Sequence, residues 1–152
     1  MKYIILNLII VIIITLVINY IYKYYLLDHY KNPNISIKHS KKKKFGYGVF
    51  AERNFKKGDV IEVCPYLLSD EKNMKGILRD YFFNLPKYGS GKVAFPLGYC
   101  GMYNHSYDPN VDVIDIGNRK LVVISRKNIK KGEEIYINYG KTYWNKRCIK
   151  PE

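Results

Sequence analysis

A chain of 152 residues with a formal net charge of +13 has room for one domain and a charge balance that draws acidic partners. Its three cysteines, Cys64, Cys100 and Cys148, are too few and too scattered for a disulfide scaffold, which agrees with a reducing compartment.

The first element is apolar. From Tyr3 to Tyr22 the chain is almost unbroken Ile, Leu, Val and Tyr. About twenty helical residues at roughly 1.5 Å each match a hydrocarbon core of roughly 30 Å. A secretory signal is shorter and ends in a small-residue cleavage site, which this run lacks. It reads as a retained single-pass transmembrane anchor, residues 1–23. Only Lys2 and the amino terminus precede it, whereas Lys23, Lys31, Lys38 and Lys41 to Lys44 follow, so the rest is expected on the cytoplasmic side. Tyr20, Tyr22, Tyr24 and Tyr25 suit the aromatic belt of a membrane interface. All acidic residues and all cations except Lys2 lie from Lys23 onward, leaving that part at +12. Anionic lipid headgroups, and after them nucleic acid, are the partners such a charge favours.

Residues 24–34 form a linker, with Asn32-Pro33-Asn34 stopping any helix. The grammar then becomes β: Ile35 to His39 alternates, a charged loop follows to Lys44, and Phe45 to Ala51 resumes an extended run. Val60 to Val63 reads as a short strand halted near Pro65. Ser69 is placed to cap a helix whose apolar positions Met74, Ile77, Leu78, Tyr81, Phe82 and Leu85 fall on one face, with Pro86 beyond its end. Val111 to Ile116 and Lys120 to Ser125 flank a Gly117-Asn118-Arg119 turn and predict a hairpin. Residues 53–63 echo residues 127–137, each a polar turn ending in Gly and then a strand. Two copies do not make a solenoid, so the same turn-and-strand device is used twice. The sum is a mainly β domain with one short helix.

Few residues offer chemistry. The cysteines and His29, His39 and His105 show no zinc-ligand spacing. Gly46-Tyr47-Gly48 lacks the third glycine and the helix of a phosphate loop. Asn104-His105-Ser106, taken alone, reads as a capped turn.

Three blocks taken together change that reading. Gly46-Tyr47-Gly48-Val49-Phe50-Ala51, then Leu97-Gly98 through Met102-Tyr103-Asn104-His105-Ser106 with Pro109-Asn110, then Gly132-Glu133-Glu134-Ile135 leading to Tyr139-Gly140 resemble the first, third and fourth motifs of SET-domain protein-lysine methyltransferases. The resemblance spans residues 35–144 and leaves 145–152 as a tail. It implies several small sheets, with a threaded, knot-like carboxyl-terminal segment that brings the third and fourth motifs together. It implies S-adenosylmethionine as cofactor, a protein substrate with a target lysine (a histone is the family habit), Tyr139 as catalytic tyrosine, and Gly46, Tyr47, Gly48, Asn104, His105 and Tyr139 at the cofactor. Tyr103, Tyr136, Tyr143 and Trp144 are aromatic candidates for a lysine channel.

Departures matter as well. Tyr107 stands where many members have a zinc-bound cysteine, so no metal is expected. Gly101 replaces a common Arg, and Asn138 a common Asp. A basic histone tail would need an acidic groove, for which Asp108, Asp112 and Asp115 are the candidates. The rival reading keeps the fold without catalysis, as a basic adaptor meeting anionic lipid or nucleic acid through Lys38 to Lys44.

Overall fold

A computed structural model describes residues 9–21, 32–42 and 45–147. The chain divides into two compact units, Met1–Pro33 and Asn34–Glu152. In the first, residues 9–21 form helix α1, and every side chain from Ile9 to Ile21 is exposed. No helix among the described residues is long and apolar enough to cross a membrane. The expected anchor is thus described only over this stretch, and its two ends lie outside the described residues, as do Lys43, Lys44 and Cys148.

The described residues of the second unit form nine strands in two sheets. The first has the order β1 (Ile35–His39), β2 (Tyr47–Ala51), β9 (Glu134–Ile137), β6 (Asn104–His105). The second has the order β4 (Phe83–Asn84), β5 (Lys92–Pro96), β3 (Val60–Asp70), β8 (Lys120–Ser125), β7 (Val111–Asp115). All neighbours are antiparallel except β6 and β9. Val49, Phe55, Ile61, Tyr103, Val123 and Ile135 belong to one buried core under both sheets. The expected β1, β2 and β7–β8 hairpin are all present. Asn118 and Arg119 of the hairpin turn take positive φ, 48° and 54°, beside Gly117.

Three expectations need correction. Strand β3 does not halt at Pro65 but runs on to Asp70. Up to Pro65 it pairs with β8, and from Tyr66 with β5. A residue without an N–H is tolerated at that change of partner, where its carbonyl accepts from Leu97 N–H at 2.9 Å. Ser69 is therefore in a sheet, opposite Val93, and caps nothing. The helix expected after it is instead two short 3-10 turns, Glu71–Asn73 and Gly76–Asp80, then β4 and a third turn, Pro86–Tyr88. Gly76 sits at φ +56°, which interrupts any regular helix. The short α-helix of this unit is α2, Lys141–Asn145. Finally, Cys64 and Cys100, 36 residues apart, are joined in a buried disulfide, so the cysteines do not argue for a reducing compartment as expected. It ties β3 to the turn that precedes β6.

The internal repeat folds as a pseudo-symmetric pair. Phe55 and Ile129 exchange backbone hydrogen bonds at 2.8 and 2.9 Å. Asn54 Oδ1 accepts from Lys131 N–H, and Asn128 Oδ1 accepts from Lys57 N–H. Each copy caps the other, which explains why the same residues recur.

Candidate active site

The site begins with β9, laid between β2 and β6. Asn104 lies opposite Tyr136 and His105 opposite Ile137 in the parallel pairing. Ser106 N–H continues the ladder to the Ile137 carbonyl at 2.9 Å. Asn110 acts as a side-chain splint on the same strand. Its amide donates to the Glu134 carbonyl at 2.9 Å, and its Oδ1 accepts from Tyr136 N–H at 2.7 Å.

Glu134 is the polar centre beneath these strands. It is 4% exposed, and its carboxylate accepts from Asn104 Nδ2 at 2.8 Å, Ser40 Oγ at 3.0 Å, Lys41 N–H at 3.2 Å and Tyr136 OH at 2.7 Å. Burial, followed by this carboxylate, pushes the Tyr136 hydroxyl well above its ordinary range. Asn104 also donates to the Tyr47 carbonyl at 3.0 Å, so both its amide hydrogens are spent and its Oδ1 remains for a further contact. The same crowding explains Gly48: a Cβ there would lie 2.2 Å from Glu134 Oε1 and 2.7 Å from Asn104 Nδ2. Gly46 is needed for another reason, its φ of +68°. Tyr47 begins β2, half exposed, with its ring stacked on His39.

His105 is 1% exposed and connects this frame to Tyr139. Its Nδ1 accepts from Tyr139 N–H at 3.1 Å, which assigns the neutral ring proton to Nε2. The rings of Tyr107, Tyr139 and Trp144 surround it at 4.8, 5.3 and 4.9 Å between centroids. The Trp144 indole N–H is buried and has no hydrogen-bond partner among the described residues.

Tyr139 faces a slot on its other side. The cavity has a volume of about 210 Å³ and is lined by Tyr81, Phe83, Gly101, Tyr103, Tyr139 and Tyr143 among others. Small-molecule clefts are usually roughly 300–1,000 Å³, so this is space for one extended side chain. The Tyr139 hydroxyl donates to the Tyr103 carbonyl at 2.8 Å. Burial chiefly, and then the neighbouring Tyr143, raises its pKa far above the ordinary phenol value, so the hydroxyl stays protonated. Tyr143 is raised too, by burial that Arg147 partly opposes. Beneath the slot, Glu62 accepts from Tyr99 N–H at 3.0 Å and from Tyr103 OH at 2.9 Å, and burial raises its pKa.

A model of the SET domain matches residues 46–140, which cover the β2–β9–β6 frame and the slot wall except Tyr143, Lys146 and Arg147. The chain belongs to the SET-domain family of protein-lysine methyltransferases. A Schizosaccharomyces pombe relative named as a histone-lysine N-methyltransferase specific for H3 lysine 37 is 31% identical over 105 residues, 65% of this chain and 69% of that protein. A solved Plasmodium falciparum structure, described as a candidate histone methyltransferase, is 34% identical over 73% of this chain and 96% of that one, at a TM-score of 0.60. A chain of the Chaetomium thermophilum polycomb repressive complex 2 shares the fold at a TM-score of 0.61 and 22% identity, over 70% of this chain and 15% of that one.

Within this SET domain the motif residues separate by task. Gly48, Asn104 and Asn110 bind the strands together, while His105 and Tyr139 face the aromatic cluster and the slot. Of the four aromatic candidates for a channel, Tyr103 and Tyr143 line the slot. Trp144 packs on the His105 side, and Tyr136 turns to Glu134. Tyr81, Phe82 and Phe83 join the slot wall, although Tyr81 and Phe82 are expected from their spacing on a helix face. Gly101 admits Tyr81: a Cβ there would touch Pro96 Cγ at 3.4 Å and Tyr81 Cδ1 at 3.7 Å, and a longer side chain would displace that ring. Asn138 keeps the local role open to an Asp, accepting from Gly140 N–H at 2.8 Å. Glu62 was not legible from its strand, and the pairing of Cys64 with Cys100 had no local signal.

Proposed function

We propose that this SET domain transfers a methyl group from S-adenosylmethionine to the side-chain amine of a lysine in a protein, with Tyr139 as the catalytic tyrosine. The observation that carries the reading is the protonated Tyr139 hydroxyl, buried at the end of a side-chain-sized aromatic slot and backed by His105. The cofactor site fits these residues: the Trp144 indole N–H is a buried donor without a partner among the described residues, and it stands among the rings of His105, Tyr139 and Tyr143. Gly46, Tyr47, Gly48, Asn104, His105 and Tyr139 would hold the cofactor, Asn104 through its free Oδ1 and backbone. When bound, the cofactor supplies an activated methyl group beside a positive sulfur.

The chain's own residues supply position more than acid–base power. A lysine amine with a pKa of about 10.4 must arrive or become neutral before attack, and an aromatic, water-poor slot lowers that value. Tyr139 cannot act as a base, because burial keeps its proton on. It orients the amine and polarises the reacting centre, and the Tyr103 carbonyl holds its hydroxyl in place. Holding both reactants in line removes much of the barrier.

The full chain should be incubated with methyl-labelled donor and candidate proteins, beside Tyr139→Phe. Losing an oriented hydroxyl beside the reacting amine is expected to cut turnover about 100-fold or more. The fold, losing one hydrogen bond, is expected to give up only about 1 kcal/mol. Equal transfer by the variant, or no transfer to any protein, would sink the assignment. Calorimetric titration with S-adenosylhomocysteine separates this reading from the adaptor reading, which requires no cofactor binding.

The apolar run of residues 3–22 is proposed to hold the enzyme at a membrane with the SET domain on the cytoplasmic side. Its length, the Lys excess that follows it and the exposed surface of α1, apolar except at Thr15 and Asn19, support this.

A further inference from the structure

Charges around the slot point to the kind of protein segment that enters it. Two acidic residues bear on it, Asp80 in its lining and Glu71 through Lys146, and both are already engaged by the carboxyl-terminal segment. Lys146 Nζ meets the Glu71 carboxylate at 2.7 Å, and Arg147 Nε meets Asp80 Oδ1 at 2.8 Å. Lys146, Arg147 and Asp80 all line the slot. A second, open concavity is lined by Glu71, Lys72, Lys75 and Arg79. Two links join it to the slot: Arg79 precedes Asp80 in the chain, and Glu71 pairs with Lys146. Lys72, Lys75 and Arg79 are exposed and make no ion pair among the described residues. The same segment presents Ile77 and Leu78 to solvent, 70% and 42% exposed.

A cationic, lysine-rich tail finds no uncompensated carboxylate here. The other acidic candidates are spent elsewhere: Asp108 pairs with Lys127, Asp112 with Arg126, and Asp115 with Lys87. An incoming carboxylate, by contrast, meets three cations beside an apolar strip.

We propose that the 72–79 segment is a substrate-docking surface that selects target lysines flanked by acidic side chains. The proposal rests on the lysine methyl-transfer reading and adds the chemistry of the sequence around the lysine. Three exposed ion pairs, each modest alone, together give about a 10- to 100-fold preference in kcat/KM at low salt. The preference weakens as salt shortens the screening length to about 3 Å near 1 M.

The test uses the full chain, labelled donor and three sets of lysine peptides with Glu/Asp, Ala/Ser or Arg/Lys flanks, each set also carrying a fluorophore for anisotropy. Acidic flanks are expected to give the highest kcat/KM through KM, with the gap narrowing at high salt. The triple variant Lys72→Glu, Lys75→Glu, Arg79→Glu is expected to reverse the order, and a thermal melt checks that it folds. A flat order, a preference for basic flanks, or an unchanged order in the triple variant overturns the docking assignment while leaving methyl transfer standing. Charge-selective anisotropy without methylation of any peptide overturns methyl transfer and keeps the docking assignment. If duplex DNA binds through the same three residues and acidic peptides do not compete with it, the surface is a nucleic-acid one and the proposal fails.

Discussion

Among single residues, Glu134 has the most to lose from a small change. Its carboxylate receives four donors from three parts of the chain, so Glu134→Gln would turn an NH₂ group against N–H and O–H donors. Leaving buried donors unsatisfied costs about 2–4 kcal/mol. Urea unfolding should show that loss, and a variant as stable as the parent would remove Glu134 from its central place. Glu62 makes a prediction about pH. Burial raises its folded pKa above that of the unfolded chain, so the folded state holds the extra proton in the window between the two values. Its stabilising contribution is complete below the ordinary glutamate value of about 4.3 and is lost as pH rises through the raised folded value. The stability of the parent relative to Glu62→Gln should therefore fall across mildly acidic pH; a difference that rises, or stays level, contradicts this. Sequence exposed Tyr139, Asn104 and His105 because they sit in compact motifs. It hid the work of Glu134, since a carboxylate in a Gly-Glu-Glu turn looks like surface until Asn104 and Ser40 close over it.

Elements are held to the slot by side chains that reach across it. Helix α2 is five residues long and has no side-chain cap, so its own hydrogen bonds do not fix it. Arg147, with 9% of its side chain exposed, pairs with Asp80, donates to the Tyr143 carbonyl at 3.1 Å and lies 3.7 Å over the Tyr143 ring. Replacing it by Ala is expected to raise the substrate KM about 2- to 30-fold, the range of one cation–π contact, with a smaller effect on kcat. Arg147→Lys keeps the charge but not the planar stack, and is expected to recover little. Full recovery by lysine would mean that charge alone secures α2; faster amide exchange over 141–147 in both variants would support the stack. The same region limits what periodicity can tell. Met74, Ile77, Tyr81 and Leu85 recur at helical spacing, yet Ser69 is committed to the sheet and Gly76 takes a positive φ, so the stripe folds as turns. Its inner members line the slot, and Ile77 remains outside. By contrast β1, β2 and the β7–β8 hairpin were legible, because strict alternation and a Gly-Asn turn have few other solutions.

At the scale of the whole molecule, the membrane reading is tested by flotation with vesicles. The full chain is expected to rise with uncharged phosphatidylcholine vesicles in both low and high salt, because an apolar anchor does not depend on screening, while residues 34–152 stay below. Release of the full chain by salt alone would leave only the basic surface as the attachment. Chain order has a further consequence for synthesis. Strand β9 pairs with β2 across more than eighty residues and with β6 on its other side. Until the ribosome has made it, the open edge of β2 has no partner, and at about 5–20 residues per second that delay lasts roughly 4–17 s. Nascent chains therefore expose a sticky apolar edge beside Val49 for seconds, and a chaperone that covers strand edges would protect them over that interval.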